Sequence, residues 1–474
     1  MNRTTLNKFR AVASLAVASM CVACTSLTDL GSTMSLAPKV ILIIGDGMDD
    51  QQITIGRNYL VGHNGRLVVD DLPYRGSIQV QTLAEDDPSV PVYVGDSASG
   101  ATAIATGVAT SEGRIGTTAN SDLDVANLME LADAAGFGTG IVTTSSVTDA
   151  SPASFMAHIE YRYCDTPDAM ERENIRMPQD STSCGQDRVV NGGLGSVVEQ
   201  VATSKMDIVL GGGSDKFTVT VDGDPSTTVR EQAKSNGYTV IQHLADLDRL
   251  PAENRVLGLF SSGHLPVRSR GVNGAKAEYI DRVGDKVVWP EPFACEANPE
   301  FVGVPTLASM TKAAIGRLNS DAGFMLMVEA ASIDKEAHYW RPCGSIGEME
   351  QLNEAVQVAL DYAKSHPETL IIVTSDHGQS AHIIPEVSNL ALQGFASRGR
   401  FARLLTPEGG IMGINYATND SPHWEDHSGV QVPLYASGPG VEDLPRFLKQ
   451  SDIFHIAATH LGLGVGQQYS DSRK

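Results

Sequence analysis

Three mainly apolar runs of the sequence each lead into an acidic side chain. The runs cover residues 40–44, 324–328 and 370–374, and their composition is typical of β-strands. The acidic residues that follow them are Asp46, Glu329 and Asp376. Ligands of open α/β sheets bind outside the carboxyl ends of the strands, so we expect these three carboxylates to converge.

Strand-like and helix-like patterns alternate along the 474 residues, which favours a largely parallel sheet. We therefore predict an α/β fold, a three-layer sandwich in which helices flank a large, mostly parallel central sheet. Residues 39–466 are expected to form one domain with loop insertions. Helices are predicted at 97–108, 125–135, 304–318, 346–363 and 453–461, and another is predicted to start at Ser151-Pro152. Further strands are predicted at 138–144, 208–213, 238–241, 255–260, 412–416 and 432–436. Residues 261–293 show no clear period.

The formal net charge of -22 and the pI near 4.9 limit the possible partners. Nucleic acid and anionic lipid surfaces would be repelled, so no specific nucleic-acid partner is expected. An anionic substrate meets the same repulsion. Its binding must therefore depend on local cations such as bound metal ions.

The first 24 residues have the pattern of an export signal. Arg3, Lys8 and Arg10 precede the apolar stretch 11–23, which is too short to span a bilayer comfortably. Cys24 lies in a sequence that loosely resembles a bacterial lipoprotein cleavage site, so soluble export to the periplasm and a lipid anchor at Cys24 are both open. Residues 25–38 are predicted to be a tether and residues 467–474 a polar tail. No other segment has a transmembrane pattern.

Four cysteines remain after the export segment: Cys164, Cys184, Cys295 and Cys343. In an oxidising compartment an even set favours two disulfides, and the economical pairing joins Cys164 to Cys184 and Cys295 to Cys343. The alternative is four buried free thiols. Zinc binding by these cysteines is not expected, because no two of them are closely spaced.

Ser97 begins a helix of small residues after Gly95-Asp96. A serine in the first turn lies beside unpaired backbone N–H groups and the positive end of the helix dipole, where anions bind. If a divalent metal lowers the pKa of its hydroxyl, Ser97 becomes a nucleophile. The plainer interpretation is that Asp96 or Ser97 only caps the helix.

Histidines also lie close to acidic residues in the later part of the sequence. Asp334 and His338 are four residues apart, which places both on one helix face. Asp376 is followed directly by His377, and His427 precedes Ser428-Gly429. Each pattern alone is weak, but their joint occurrence indicates a multi-metal hydrolytic site.

Six short motifs occur in one order between about Lys39 and Leu463. They are Ile44-Gly45-Asp46-Gly47-Met48, Asp96-Ser97-Ala98-Ser99, Asp149-Ala150-Ser151-Pro152, Glu329 to Lys335, Asp376-His377 and His427-Ser428-Gly429. In composition and order they resemble the alkaline phosphatase family. The resemblance implies an exported, metal-dependent enzyme that hydrolyses small phosphate monoesters through a phosphoserine, with a broad substrate range, and a homodimer.

The resemblance also implies two Zn²⁺ and one Mg²⁺ per chain. Ser97 would be phosphorylated. The first zinc would be held by Asp334, His338 and His427, the second by Asp46, Asp376 and His377 with Ser97 reaching it, and the magnesium by Asp149, Ser151 and Glu329 with Asp46 bridging. The mixed nitrogen and oxygen set suits zinc, and the all-oxygen set suits a hard cation.

Arg162 lies at the spacing after Asp149 where the family has its phosphate-binding arginine. A guanidinium fork can hold two phosphoryl oxygens, whereas a lysine cannot do so with the same geometry. Asp96 is expected to orient Arg162, and Lys335 to assist phosphate through water. A surface role for Arg162 is the alternative.

Four further residues lie near these motifs. Asp49 and Gln379 depart from residues common in the family, and Asp49 is expected to add negative charge near the entrance. His158 is interpreted as structural. His423 is an alternative ligand to His427.

The competing functions are a phosphodiesterase or sulfatase of the same superfamily and a phosphate binder without turnover. A sulfatase needs Cys or Ser followed by x-Pro-x-Arg, and Ser97 is followed by Ala-Ser-Gly-Ala. Arg162 favours monoesters over diesters.

Overall fold

A ten-stranded sheet forms the centre of the molecule. The computed structural model describes residues 37–171, 184–251, 253–284, 286–385 and 398–464. In chain order the central strands are β1 (Lys39–Gly45), β2 (Tyr74–Gln79), β3 (Gly138–Ser146), β4 (Ile208–Gly212), β5 (Tyr238–Ile241), β6 (Arg255–Leu259), β7 (Phe324–Ala330), β8 (Thr369–Thr374), β9 (Val432–Ser437) and β10 (Phe447–Lys449). Their order across the sheet is β10-β2-β9-β8-β1-β7-β3-β4-β6-β5. β9 runs antiparallel to both neighbours, and all other adjacent pairs are parallel.

The central position of β1 explains its unbroken apolar sequence. Successive side chains of a strand point to opposite faces of the sheet. Val40, Leu42 and Ile44 belong to a hydrophobic core on one face, and Ile41 and Ile43 to a second core on the other. Because both faces are covered, positions 40–44 of this strand favour apolar side chains, while Lys39 at its start is paired with Glu368.

Helices cover both faces and complete the predicted three-layer sandwich. They are α1 (Asp50–Leu60), α2 (Ser97–Thr106), α3 (Leu128–Ala134), α4 (Ala150–Ala153), α5 (Val197–Thr203), α6 (Val229–Ser235), α7 (Leu307–Leu318), α8 (Ser332–His338), α9 (Pro342–Ala363) and α10 (Asp452–Leu461). The first core contains residues of α2, α3, α5 and α10, and the second contains residues of α1, α7 and α9.

Several helix starts differ from the sequence prediction because of their caps. α3 begins at Leu128 rather than at 125, since the Asn127 side chain accepts hydrogen bonds from the first backbone amides. α9 begins at Pro342 rather than at 346, since proline suits the first turn. α4 begins at Ala150 with Asp149 as its cap, so the prediction that Ser151 caps this helix was wrong.

Residues 261–293, which show no period in the sequence, contain strands of only two or three residues. The short strands pair as follows: Ser269–Gly271 with Cys295–Ala297, Asp281–Val283 with Lys286–Val288, Thr82–Leu83 with Pro91–Val92, and Thr220–Val221 with Asp224–Thr228. A four-stranded sheet has the order Glu278–Tyr279, Arg400–Leu405, Ile411–Tyr416, Ala381–Ile383. The strands within residues 261–293 are too short to give a detectable alternation, which is why the sequence did not reveal them, whereas Ile411–Tyr416 was predicted at 412–416.

The predicted export segment 1–24, most of the tether 25–38 and the tail 467–474 lie outside the described residues. Their boundaries stay predictions. Across the part of the chain that the structure describes, none of the helices combines the length and apolar character needed to cross a membrane.

The two expected disulfides are present. Cys164 is bonded to Cys184, 20 residues further on, and Cys295 is bonded to Cys343, 48 residues further on. The first bond follows closely on Arg162. The second joins the start of α9 to a short peripheral strand.

We predict that replacing Cys164 and Cys184 together by serine lowers the free energy of unfolding by about 3 kcal/mol, because opening a loop of this size restores chain entropy to the unfolded state. Urea unfolding of the oxidised protein measures the change. The Cys295→Ser, Cys343→Ser double variant is the matched comparison, and its longer loop gives about 4 kcal/mol by the same relation. An unchanged unfolding midpoint in either variant would contradict this account.

Candidate active site

Asp46, Glu329 and Asp376 meet at the carboxyl edge of the sheet. β1 lies between β7 and β8, with Ile44 paired to Glu329 on one side and to Thr374 on the other. The parallel register therefore brings the three strand ends to the same level, as the sequence predicted.

Two glycines allow the chain to approach itself closely here. Gly47 follows β1 with a left-handed φ of 66°, and a β-carbon on it would lie 3.0 Å from Asp334 Cβ. Gly100 lies in α2, where a β-carbon would come within 2.4 Å of the carbonyl oxygen of Asp376. Side chains at either position would push the first turn, α8 or α2 away from the strand ends.

One cluster joins α8 to the loop before β9. His338 Nε2 lies 3.2 Å from Asp334 Oδ2, and His427 Nε2 lies 3.4 Å from Asp334 Oδ1. The two Nε2 atoms are 3.1 Å apart. Nδ1 of His338 donates to the carbonyl of Glu425, and Nδ1 of His427 donates to the carbonyl of Gly95. Both Nε2 lone pairs are therefore directed into the cluster.

A second cluster lies beside it. His377 Nε2 is 3.3 Å from Asp46 Oδ1 and 3.5 Å from Asp376 Oδ2. Its Nδ1 donates to the carbonyl of Gly378, so Nε2 is an acceptor. The Ser97 hydroxyl, 3.1 Å away, donates to this Nε2. The predicted second-zinc set and the predicted nucleophile are thus in contact.

The start of α2 resolves the capping question raised by the sequence. Asp96 is the cap: its side chain accepts from the backbone amide of Ser99 at 3.0 Å, and Ser99 Oγ accepts from the amide of Asp96 at 3.3 Å. Ser97 is therefore not needed for capping. Its hydroxyl contacts His377 while the residue stays in the first helical turn, where unpaired amides favour anions.

Arg162 lies between two carboxylates. Its Nη1 donates to Asp96 Oδ2 at 3.1 Å and its Nη2 to Asp149 Oδ1 at 3.2 Å. Lys335 Nζ is 2.5 Å from the other oxygen of Asp149. Burial alone would raise the pKa of Asp149, but Lys335, His264 and Arg162 hold it well below its ordinary value. Burial would likewise raise the pKa of Asp96, but Arg162 lowers it.

For Asp46 and Glu329, in contrast, neighbouring cations do not offset the effect of burial. Burial, together with Asp376 and Asp334, raises the pKa of Asp46 well above its ordinary value. Burial and Asp149 raise the pKa of Glu329 to about 7, although Thr143 and Ser145 donate hydrogen bonds to its Oε2. In the absence of metal ions, burial and the neighbouring carboxylates stabilise the protonated forms of Asp46 and Glu329.

The unsatisfied atoms of this region fit metal ions. Within the described part of the chain, Asp46 Oδ1 and Glu329 Oε1 are buried without a hydrogen-bond partner, which is costly unless a cation contacts them. Two groups of side chains bring ligand atoms within 4.8 Å of one another: Asp334, His377 and His427, and Asp46, Asp376 and His377. Mixed imidazole and carboxylate ligands of this kind suit zinc.

The predicted magnesium set is less compact. Ser151 Oγ donates to Asp376 Oδ2 at 3.4 Å, and Glu329 lies deeper, on β7. Both oxygens of Asp149 are taken by Lys335 and Arg162. Asp149 therefore joins Arg162 to Lys335, and its role as a direct magnesium ligand stays a prediction.

The structure also shows the positions of the four further residues named in the sequence analysis. Asp49 is buried and caps α1, so the expectation of an entrance charge was wrong. Gln379 Nε2 donates to Asp334 Oδ1 at 2.5 Å. His158 is buried between Gly116 and Glu130, which confirms its structural role. His427, rather than His423, lies in the metal-ligand cluster.

Sequence reasoning missed contributors from unpatterned segments. His264 accepts the backbone amide of Ser146 at Nδ1 and lies 3.9 Å from Asp149. Partial burial of the ring, whose side chain is 48% exposed, and the charge of Lys335 lower the pKa of His264 to about 4. Glu425 bonds to His338 of the first cluster through its backbone carbonyl, and Trp340 bonds to the side chain of Glu425. No local motif marks any of the three.

Ser97, Arg162, Lys335, His338 and His427 line one cleft of about 1740 Å³. A serine at a helix start, a guanidinium fork and two groups of metal ligands at the carboxyl edge of an α/β sheet define a metallohydrolase that acts on an anionic group.

Comparison with known proteins identifies the family to which this metallohydrolase belongs. The sequence model of the alkaline phosphatase family matches residues 37–400. The chain is 39% identical to streptomycin-6-phosphate phosphatase of Streptomyces griseus over 90% of its own length and 91% of the relative. It is 38% identical to alkaline phosphatase H of Pseudomonas aeruginosa and 37% identical to the alkaline phosphatase of Escherichia coli, in each case over 90% of its own length and 86% of the relative. The chain belongs to the alkaline phosphatase family and is a metal-dependent phosphomonoesterase.

The fold agrees with that of a solved alkaline phosphatase. The structure of the enzyme from the Antarctic bacterium TAB5 superposes with a TM-score of 0.64, covering 90% of this chain and 98% of the other at 24% identity. At this identity the similarity establishes the fold alone.

We predict that the metal-free protein loses stability as pH rises. The raised pKa of Glu329 means that its contribution is complete below its ordinary pKa and is lost as pH rises towards 7, a change of up to about 3 kcal/mol. Urea midpoints of chelator-treated protein between about pH 4 and 8 measure this slope.

Glu329→Gln should flatten that slope, because the amide does not ionise. Glu199→Gln is the control, since Glu199 is a buried glutamate that caps α5 through Ser196. If both variants kept the parental slope, the assignment to Glu329 would be wrong.

Proposed function

We propose that the chain hydrolyses phosphate monoesters through a phosphoserine at Ser97, with two Zn²⁺ and one Mg²⁺ per chain. The observation that carries this proposal is the contact of Ser97 Oγ with His377 Nε2, in the helix turn whose cap, Asp96, also binds Arg162. The hydroxyl, the metal ligands and the phosphate-binding fork thus surround one point of the cleft.

The donor sets support the metal assignment. Asp334, His338 and His427 would hold the first zinc, Asp46, Asp376 and His377 the second with Ser97, and Ser151, Glu329 and Asp46 the magnesium together with Asp149. When bound, these ions supply Lewis-acid stabilisation of the phosphoryl oxygens and lower the pKa of hydroxyl groups next to them. The unpartnered oxygens of Asp46 and Glu329 are the atoms that such cations would satisfy.

The side chains of the cleft have separate tasks in this mechanism. Arg162 binds two phosphoryl oxygens through its planar fork, while Asp96 and Asp149 hold the fork in place. Ser97 loses its proton to solvent and its oxygen attacks phosphorus in line, the P–O bond to the alcohol breaks, and the alcohol leaves after taking up a proton from solvent. The first turn of α2 supplies amides that favour the anionic group. Water then attacks the phosphoserine from the side that the alcohol has left, the bond to Ser97 Oγ breaks, and inorganic phosphate is released.

Lys335 is assigned to the phosphate side. It is buried beside Asp149 and lies 3.9 Å from Asp46, and these carboxylates keep it charged by raising its pKa against the effect of burial. A fixed ammonium at this position assists phosphate binding through water. It also links the Arg162 side of the cleft to the carboxylates at the strand ends.

A cleft of about 1740 Å³ accommodates leaving groups of many sizes, which supports a broad range of monoesters. A sugar-like alcohol such as that named for the Streptomyces griseus relative falls within this range. Phosphodiester hydrolysis is the alternative, and the engaged position of Arg162 favours monoesters. We further propose export to the periplasm, as a soluble protein or anchored through Cys24, and assembly as a homodimer.

We predict that Ser97→Ala abolishes the phosphoserine that can be trapped at acid pH from a labelled monoester, and lowers kcat by roughly a thousandfold or more. Some turnover should remain, because the other groups that bind and activate the substrate are intact. Ser99→Ala is the control, since Ser99 lies in the same helix turn and its hydroxyl, among the described residues, bonds to Asp96 and Thr82. Label trapped on a different residue would disprove the role of Ser97.

We predict that Arg162→Lys weakens competitive inhibition by inorganic phosphate about tenfold to a hundredfold, because lysine keeps the charge but loses the two-pronged hydrogen bond. The loss in kcat/KM should be larger for a monoester than for a diester, which offers fewer charged oxygens. Arg268→Lys is the matched control, since Arg268 makes a similar fork to Glu354. Equal losses on both substrates would indicate a purely structural Arg162.

A further inference from the structure

Trp340 has a backbone conformation that is unusual for its residue type. It follows α8 with a φ of 60°, the left-handed region in which glycine normally ends a helix. This conformation is strained for a bulky residue, so its side chain must gain contacts that a glycine could not make. The side chain is 2% exposed, and the Arg400 guanidinium lies 3.8 Å from its ring centroid.

The indole of Trp340 is held by Glu425. Its Nε1 donates to Glu425 Oε2 at 2.8 Å. The other carboxylate oxygen of Glu425 accepts from the amide and hydroxyl of Thr418, at 2.5 and 2.6 Å, and from the amide of Asn419 at 3.3 Å. Glu425 is 2% exposed, and all four of these partners are donors.

The backbone of Glu425 is joined to His338 in two places. Its amide donates to the carbonyl of His338 at 2.8 Å, and its carbonyl accepts from His338 Nδ1 at 2.5 Å. His427 follows two residues later, and its Nε2 is 3.1 Å from that of His338. The position of Glu425 thus fixes both the rotation of the His338 ring and the distance to His427.

From these contacts we infer that Glu425 is a positioning residue for the first metal site. Trp340, Glu425 and Thr418 form a bracket, which ties the end of α8 to the loop that carries His427. This bracket holds the two imidazoles at a separation that a single ion can bridge. The inference rests on the proposed function, in which His338 and His427 are ligands of the first zinc.

Glu425→Gln is the sharpest test of the bracket. The amide nitrogen of glutamine must face either the indole N–H or the Thr418 amide, so one side of the bracket opens with almost no change in volume. We expect the affinity of this zinc site to fall about tenfold to a hundredfold, as is usual when residues supporting a ligand are altered. Zinc titration of chelator-stripped protein against a competing metal indicator measures the change.

A second variant and two controls separate positioning from stability. Trp340→Phe removes the indole N–H from the other end of the bracket and should weaken zinc binding in the same way. Glu199→Gln and Trp289→Phe change a buried glutamate and a packed tryptophan outside the bracket, and should leave zinc affinity at the parental value. Urea midpoints of all four variants report the cost to folding.

The outcomes are distinct. Weaker zinc binding in Glu425→Gln and Trp340→Phe, with parental affinity in both controls, supports the bracket. Parental zinc affinity in Glu425→Gln would overturn the inference but not the proposed function. A loss of zinc affinity in Glu199→Gln equal to that in Glu425→Gln would do the same. A parent protein that takes up no zinc would overturn the proposed metal site and the inference with it.

Discussion

Repulsion among buried carboxylates is the constraint on which the rest of the site depends. Two carboxylates about 4 Å apart repel by roughly 4 kcal/mol near a protein surface, and burial increases the cost of ionising each. Arg162 and Lys335 relieve this cost for Asp149 and Asp96. Asp46 and Glu329 have no comparable partner, and their raised pKa values show it. One edge of the sheet therefore carries more carboxylates than cationic side chains. Divalent ions can supply the missing positive charge.

The fold makes this arrangement rigid. Glu329 on β7 and the acids that follow β1 and β8 are placed by parallel hydrogen-bonded register, so they cannot separate to reduce their repulsion. The histidines come from less regular segments and are fixed differently. Each directs Nε2 inwards because its Nδ1 is bonded to a backbone carbonyl, those of Glu425, Gly95 and Gly378. Secondary structure thus places the acids, and hydrogen bonds orient the imidazoles.

The sequence predicted what depends on local pattern. Buried parallel strands such as β1 are continuous apolar runs, so the central sheet and its strand-end carboxylates could be identified directly. The helix starts at Leu128 and Ala150 were misplaced because side-chain caps outweigh apolar periodicity. His264, Glu425 and Trp340 escaped because their contacts join segments far apart in sequence. Asp49 was misjudged because α1, which its carboxylate caps, was not predicted from the sequence, and because the same carboxylate accepts from the distant backbone amide of Gln379.

The same charges explain how a strongly acidic protein handles an anionic substrate. Every lysine and arginine that lines the cleft in the described residues already has a carboxylate partner: Arg114 with Glu85, Arg162 with Asp96, Arg270 with Glu296, Lys335 with Asp149 and Arg341 with Glu336. These pairs give the cleft directional donors but little net positive charge. The attraction for a phosphoryl group must then come from ions held by the strand-end acids. Metal loading and substrate affinity are consequently coupled, and the metals serve binding as well as chemistry.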